Sequence, residues 1–292
     1  MKNSQDWSPS ELGRELLRTA SSGPNGSAGT YGRSVAGAAL RFFALGRGRR
    51  RLLLTAAHHA NEWITAPLLL RFAGELAAGV WPGALDGTRV FFAPLVNPDG
   101  ARLVTGELAS GPLFENARRI AEKYPDIPFP DGWKANLRGV DLNLQYPAGW
   151  EEAKKIKFAA GWTGPAPRDY VGAAPLCAPE ARALCRLTRR ISPELVIALH
   201  TQGEVIYWKY LDLEPPGAEA CGRAMADASG YALEDTPYAS GHAGYKDWFI
   251  LDYDRPGYTI ECGLGENPLP RADFGAIYPA VRAALAAAVL GC

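Results

Sequence analysis

Apolar positions along this chain gather into dense runs of two kinds, separated by stretches rich in Gly, Pro and charge. LRFFALG, RLLLTAA, TRVFFAPLV, ELVIALH and GYTIE are short, β-branched, aromatic or leucine-rich and bounded by turn residues, which predicts buried strands. NEWITAPLLLRFAGELAAG (ended by Gly79), PEARALCRLTRR (opened by Pro179), GAEACGRAMADASG, YKDWFILDY and PAVRAALAAAVLG have the length and spacing of helices. Strands alternating with helices predict an α/β sandwich around a largely parallel or mixed sheet. At the start, SPSELGRELLRTA reads as a short helix and SSGPNGSAG as a flexible connection. The compact domain is therefore expected over residues 31–292, from Tyr31, with residues 1–30 as an N-terminal helix and linker. Periodicity lapses between Asn97 and Pro175, where Gly, Pro, Trp and Tyr dominate, and long irregular stretches in compact domains are usually functional.

Composition narrows the classes. With 292 residues, 47% hydrophobic and 21% charged, one globular domain with a sizeable core is expected. Lys plus Arg and Asp plus Glu both total 31, so no net field gathers nucleic acid or an anionic membrane, and the expected partner is small. The one basic run, RGRRR at Arg47–Arg51, precedes LLLTAA and reads as a solvated turn before a strand. The five cysteines, Cys177, Cys185, Cys221, Cys262 and Cys292, are odd in number without paired spacing, and MKNSQDWSPSELGREL has no apolar signal core. A reducing cytoplasm is the expected compartment. No window approaches the ~18 uninterrupted apolar residues of a membrane-spanning helix.

Candidate chemistry begins with the histidines. Of the four, His58 and His59 follow one strand-like run and His200 ends another, and strand ends are where open α/β sheets place their sites. In HANE, His59 and Glu62 stand three residues apart at a strand-to-helix junction, so both can turn towards one ion. His200 is the natural third member of a His₂Glu set, the kind that leaves a fourth position on zinc for water. Taken alone, a short HxxE pattern more often marks hydrogen-bonded core or surface histidines than a metal site.

Further motifs decide between these readings. HANEWITAP, VNPDG, GVDLN, ALHTQGE and YTIECGLGEN resemble, in order, the motifs of carboxypeptidase A-like zinc peptidases over the chain from about Tyr31 onward. The resemblance implies an α/β three-layer sandwich with a mixed, mainly eight-stranded sheet flanked by helices. It implies one zinc on His59, Glu62 and His200, and Glu261, at the end of GYTIE, as general base. It also implies a cation before GVDLN for the oxyanion, Lys134 by position or else Arg138, and Tyr238 as a mobile tyrosine closing over substrate. His242, in the same loop as Tyr238, reads as a surface residue.

The chain also departs from the digestive members of that family. They read Asn-Arg at the end of GVDLN, where this chain has Asn143 followed by Leu144, and they often carry Arg where Asn61 stands. Losing charge-assisted bonds to a terminal carboxylate argues against a general digestive carboxypeptidase. WKANLRGVDLNLQYPAGWEE, GPAPRDYVG, EVIYWKYLDLEPP and AGYKDWFI look like the bacterial γ-D-glutamyl-L-diamino acid peptidases, so a small murein-derived peptide is the expected substrate. Asn61, Asn143, Tyr238 and Lys246 are the expected substrate contacts, with Lys246 reading a carboxylate of diaminopimelate. The alternatives are a metallocarboxypeptidase acting on ordinary peptides, a zinc amidase or deacylase of N-acyl amino acids, and a metal-free binding module.

Overall fold

The computed structural model describes residues 8–292; residues 1–7, the start of the expected 1–30 segment, lie outside the described residues. Eight strands form one mixed sheet, β1 (Ser27–Arg33), β2 (Ala39–Leu45), β3 (Arg50–Ala56), β4 (Thr88–Ala93), β5 (Leu195–His200), β6 (Val205–Tyr207), β7 (Ala232–Glu234) and β8 (Gly257–Glu261). Their spatial order is β1-β2-β4-β3-β5-β8-β6-β7. The centre, β4-β3-β5-β8, is parallel, β1-β2, β2-β4 and β6-β8 pair antiparallel, and β6-β7 is parallel. This is the mixed eight-stranded α/β sandwich that the resemblance implies.

Layering follows from side-chain alternation, because successive residues of a strand point to opposite faces. Leu52, Leu54, Val90, Phe92, Ile197 and Leu199 face one core with α1 (Pro9–Ser22), α2 (Thr65–Ala77), α7 (Ala218–Ser229) and α9 (Phe274–Gly291). Leu53, Phe91, Val196 and Ala198 face the other, against α6 (Pro179–Ile191) and α8 (Tyr245–Tyr253). The central strands are apolar on both sides, as a covered parallel sheet requires.

Several elements differ from expectation. The stretch between Asn97 and Pro175 holds α3 (Pro98–Val104), α4 (Pro112–Ala121) and α5 (Trp150–Ala159). The sheet begins at Ser27, ahead of Tyr31, and α1 buries Leu12 and Leu16 against α2. Helix α9 with its preceding turn, Arg271–Gly291, is long and apolar enough to cross a membrane by length and composition, yet it packs on α7 and α2 and buries Val281, Ala284 and Leu285. Cys221 and Cys292 form a disulfide between α7 and the end of α9. An odd count without paired spacing thus concealed one bonded pair, 71 residues apart in sequence.

The register of the parallel strands sets up the site. Ala56 of β3 pairs with Leu199 of β5, and His200 of β5 pairs with Glu261 of β8. Three strands thus end on one row, and the residues just beyond β3 are His58 and His59.

Candidate metal centre and its cleft

Beyond β3 the chain enters a single 3-10 turn, Ala60–Glu62, which turns Glu62 back towards His59. Glu62 Oε1 lies 2.8 Å from His59 Nδ1, and Oε2 lies 2.8 Å from His200 Nδ1. One ligand atom from each of the three residues falls within 4.8 Å of the others. The His59 ring is oriented from behind, since its Nε2 lies 3.0 Å from Asp141 Oδ1.

That arrangement tests the fit of a metal. A neutral His59 donating Nε2–H to Asp141 presents a bare lone pair at Nδ1, and this lone pair faces a carboxylate oxygen. Two acceptors in contact need a proton or a cation between them. Burial lowers the pKa of His59, but the Glu62 and Asp141 carboxylates outweigh it and lift the pKa to about 9, so the same field that favours a proton favours a divalent ion. Burial alone would also neutralise Glu62, whereas His59, Lys134 and His200 hold its carboxyl well below the usual range. The donor set, two imidazoles and a carboxylate backed by a second carboxylate, fits zinc.

The cleft over this group has a volume of about 860 Å³ and is lined by Asn61, Lys134, Asp141, Asn143, Lys157, Arg168, Lys246 and Glu261, among others. Glu261 stands beside His200 in the sheet register, and burial pushes its carboxyl up to about 7. Lys134 Nζ lies 3.1 Å from Glu62 Oε1; burial lowers its pKa, but the Glu62 carboxylate more than offsets this and keeps the ammonium charged. Arg138 is exposed and lies outside the cleft lining, because its turn is held inward at the backbone, where Arg138 N–H donates to Asn136 Oδ1 at 3.0 Å.

The expected substrate contacts divide. Asn61 is buried at the cleft with Oδ1 unpartnered, whereas Asn143 Oδ1 accepts from Tyr245 N–H at 3.1 Å. Lys246 lines the cleft and is not solvated: its Nζ donates to Lys209 O at 2.6 Å and pairs with Asp247 Oδ1 at 2.6 Å. Its charge is already answered, so it is no free reader of a carboxylate. Tyr238 is 62% exposed, outside the cleft lining, and its hydroxyl reaches Glu152 Oε1 at 3.4 Å. His242, expected at the surface, is buried with both ring nitrogens unpartnered, and Tyr238 stacks edge-on against it at 4.8 Å.

Sequence reasoning passed over Asp141 and Arg168. Asp141 Oδ2 accepts from Asp169 N–H at 3.2 Å, and Pro167 O accepts from Lys134 N–H at 2.8 Å. The loop bearing Arg168 and Asp169 is thereby tied to the metal centre. Asp169 in turn pairs with Arg168 Nε and Lys157 Nζ, each at 2.6 Å. The acid at the centre of GVDLN was the available signal.

Residues 17–277 match the family model described as zinc carboxypeptidase. The chain is 41% identical over 257 residues to γ-D-glutamyl-L-diamino acid endopeptidase 1 of Lysinibacillus sphaericus, an alignment covering 85% of this chain and 63% of that protein. The chain thus spans under two thirds of that relative's length. It is 30% identical over 176 residues to murein peptide amidase A of Escherichia coli (strain K12), covering 58% of this chain and 57% of the relative. Bovine thrombin-activatable fibrinolysis inhibitor, solved with tick carboxypeptidase inhibitor, superposes with a TM-score of 0.74 at 17% identity, covering 98% of this chain and 97% of that one.

Proposed function

Because the chain belongs to the zinc carboxypeptidase family, we propose that it hydrolyses the amide bond between γ-D-glutamate and a diamino acid, diaminopimelate, in murein-derived peptides. The observation that carries this reading is the mixed charge of the cleft: Arg168, paired with Asp169 only through Nε and with its side chain 43% exposed, lines it together with the exposed carboxylates of Asp126, Asp131 and Glu266. Such a peptide carries several carboxylates and a free distal amine, and both kinds of group find opposite charge on these walls. The names of two relatives support the same substrate class.

The chemistry is assigned to the chain's own groups. His59, Glu62 and His200 would hold the zinc, which would supply Lewis acidity and lower the pKa of a water there. Glu261 takes the proton of the attacking water and returns it to the leaving amine of the diamino acid. Lys134 faces the oxyanion as the tetrahedral intermediate forms, and Asp141 fixes the tautomer of His59.

The experiment is a comparison of kcat/KM for L-Ala-γ-D-Glu-diaminopimelate, its lysine counterpart and ordinary C-terminal dipeptides, with products identified by mass spectrometry. The expected result is cleavage at the γ-glutamyl bond with diaminopimelate preferred. Faster release of ordinary C-terminal residues would select the metallocarboxypeptidase reading, and cleavage of N-acyl amino acids alone the amidase reading. In the same assay Glu261→Gln is expected to retain zinc and lose at least ~10²-fold in turnover. A chelator is expected to abolish activity, and full activity without metal would remove the mechanism.

A further inference from the structure

At the opposite end of the central strands lies a second concavity of about 770 Å³, lined by Arg49, Arg51, Arg89, Arg190, Phe42 and Phe91, and by no Asp or Glu. It gathers Gly48, Arg49 and Arg51 of the RGRRR run that the catalytic reading leaves unused. Strand alternation sorts that run by face: Arg50 donates to Val289 O and Ala288 O of α9, both at 2.8 Å, while Arg51 points to the face covered by α6. Arg51 of β3 is the direct register partner of Arg89 of β4. Two like charges opposite one another on a sheet repel, and among the described residues no carboxylate pairs with any of these four arginines. In a chain whose charges balance at 31 and 31, such a cluster is conspicuous for its lack of an answering anion.

Two further features point to a ligand. The Nε donors of Arg51 and Arg89 are buried without a hydrogen-bond partner, although buried donors are ordinarily satisfied. The guanidinium of Arg89 lies over the Phe91 ring at 5.1 Å and that of Arg190 over Phe42 at 5.3 Å. Contact through their faces fixes the planes; Arg89 Nη2 donates to Ser27 Oγ at 3.1 Å, and the unpartnered Nε edges remain available. Guanidinium forks lining one hollow are suited to an oxyanion, which can accept from more than one guanidinium at once.

We propose that this arginine pocket is an anion-binding site for a phosphoryl group of a small phosphorylated ligand. A doubly charged phosphoryl group between Arg51 and Arg89 would offset their repulsion and satisfy their unpartnered donors. The limited volume and the zero net charge of the chain favour a small ligand over a nucleic-acid or cell-wall polymer. Since β3 is seven residues long, the pocket stands about 20 Å from the metal centre along the strand, and its occupant does not contact the scissile bond.

The test is isothermal titration calorimetry of the zinc-loaded full chain with inorganic pyrophosphate, beside Arg49→Gln/Arg190→Gln, in which both residues are exposed and removable without disturbing the sheet. Saturable binding at one site per chain is expected, weakened at least tenfold in the double variant while peptidase kcat/KM is unchanged. Arg51→Gln is expected to weaken it likewise, and adenosine diphosphate should compete with pyrophosphate for the site. No saturable binding to the parent protein would overturn the proposal. Unchanged affinity in the double variant, or loss only in Lys134→Gln, would place the anion elsewhere and overturn it also. So would displacement by a single-stranded oligonucleotide but not by adenosine diphosphate, since the occupant would then be a polymer.

Discussion

Asp141 shows how one side chain joins two parts of the site. Its Oδ1 holds His59 Nε2 and accepts from Asn143 N–H at 3.1 Å, while its Oδ2 accepts from Asp169 N–H at 3.2 Å. Burial works against its charge, but His59 and Lys134 keep its carboxyl well below the ordinary range. Asp141→Asn keeps the shape and removes the charge that orients the ring. Zinc affinity is expected to fall ~10–100-fold, the usual effect of losing such an outer partner, as measured by competition with a chromophoric chelator. Unchanged affinity would show that the ring is held by packing alone. Glu261, on β8, has no side-chain hydrogen bond of this kind among the described residues, which suits the proton transfer proposed for it.

At the scale of elements, α6 illustrates a buried acid used as a fastener. Glu180 in its first turn accepts from Val35 N–H at 2.8 Å and from Asn136 Nδ2 at 3.1 Å, so it ties the helix both to the turn after β1 and to the segment leading to GVDLN. Burial raises its pKa more than these hydrogen bonds lower it, and nearby Asp99 adds to the rise. The folded chain therefore binds this proton more tightly than the unfolded chain. Its contribution to stability is present below the ordinary carboxylate range and is lost as pH rises through the folded-state pKa. Glu180→Gln is neutral throughout, so its Tm relative to the parent protein is expected to become more favourable between pH 4.5 and pH 7. A Tm difference independent of pH would contradict the raised pKa.

Over the whole molecule, the closing contact is the disulfide from Cys221 on α7 to Cys292, 71 residues apart in sequence. It reinforces the extensive packing of α7 on α9. A crosslink closing a loop of that length removes unfolded-state entropy worth about 4 kcal/mol as an upper figure. Cys221→Ser/Cys292→Ser, or reductant, is expected to lower the Tm by several degrees and leave kcat/KM unchanged, because the bond lies away from the cleft lining. A Tm unaffected by either treatment would show that helix packing alone closes this corner. The molecule thus keeps its catalytic row, its arginine pocket and its covalent tie in three separate places on one sheet sandwich.

Much of the central fold was legible because its signals are local. RLLLTAA, ELVIALH and GYTIE are apolar on both faces, as covered parallel strands must be, and each delivers a site residue at or just beyond its end. HANE places two ligands within one turn, a spacing that any reading of neighbouring residues detects. What escaped depends on contacts distant in the chain or on segments too short to show a period. Strands β6 and β7 have three residues each and exist because β8 offers β6 an edge and β6 in turn offers one to β7. The pairing of Lys246 with Asp247 and Lys209, the burial of His242, the Cys221–Cys292 bond and the meeting of Arg51, Arg89 and Arg190 all require the sheet to be assembled first. Sequence spacing constrains side chains within a turn or a strand, whereas charge pairing and burial are decided by whichever surfaces the completed fold brings into contact.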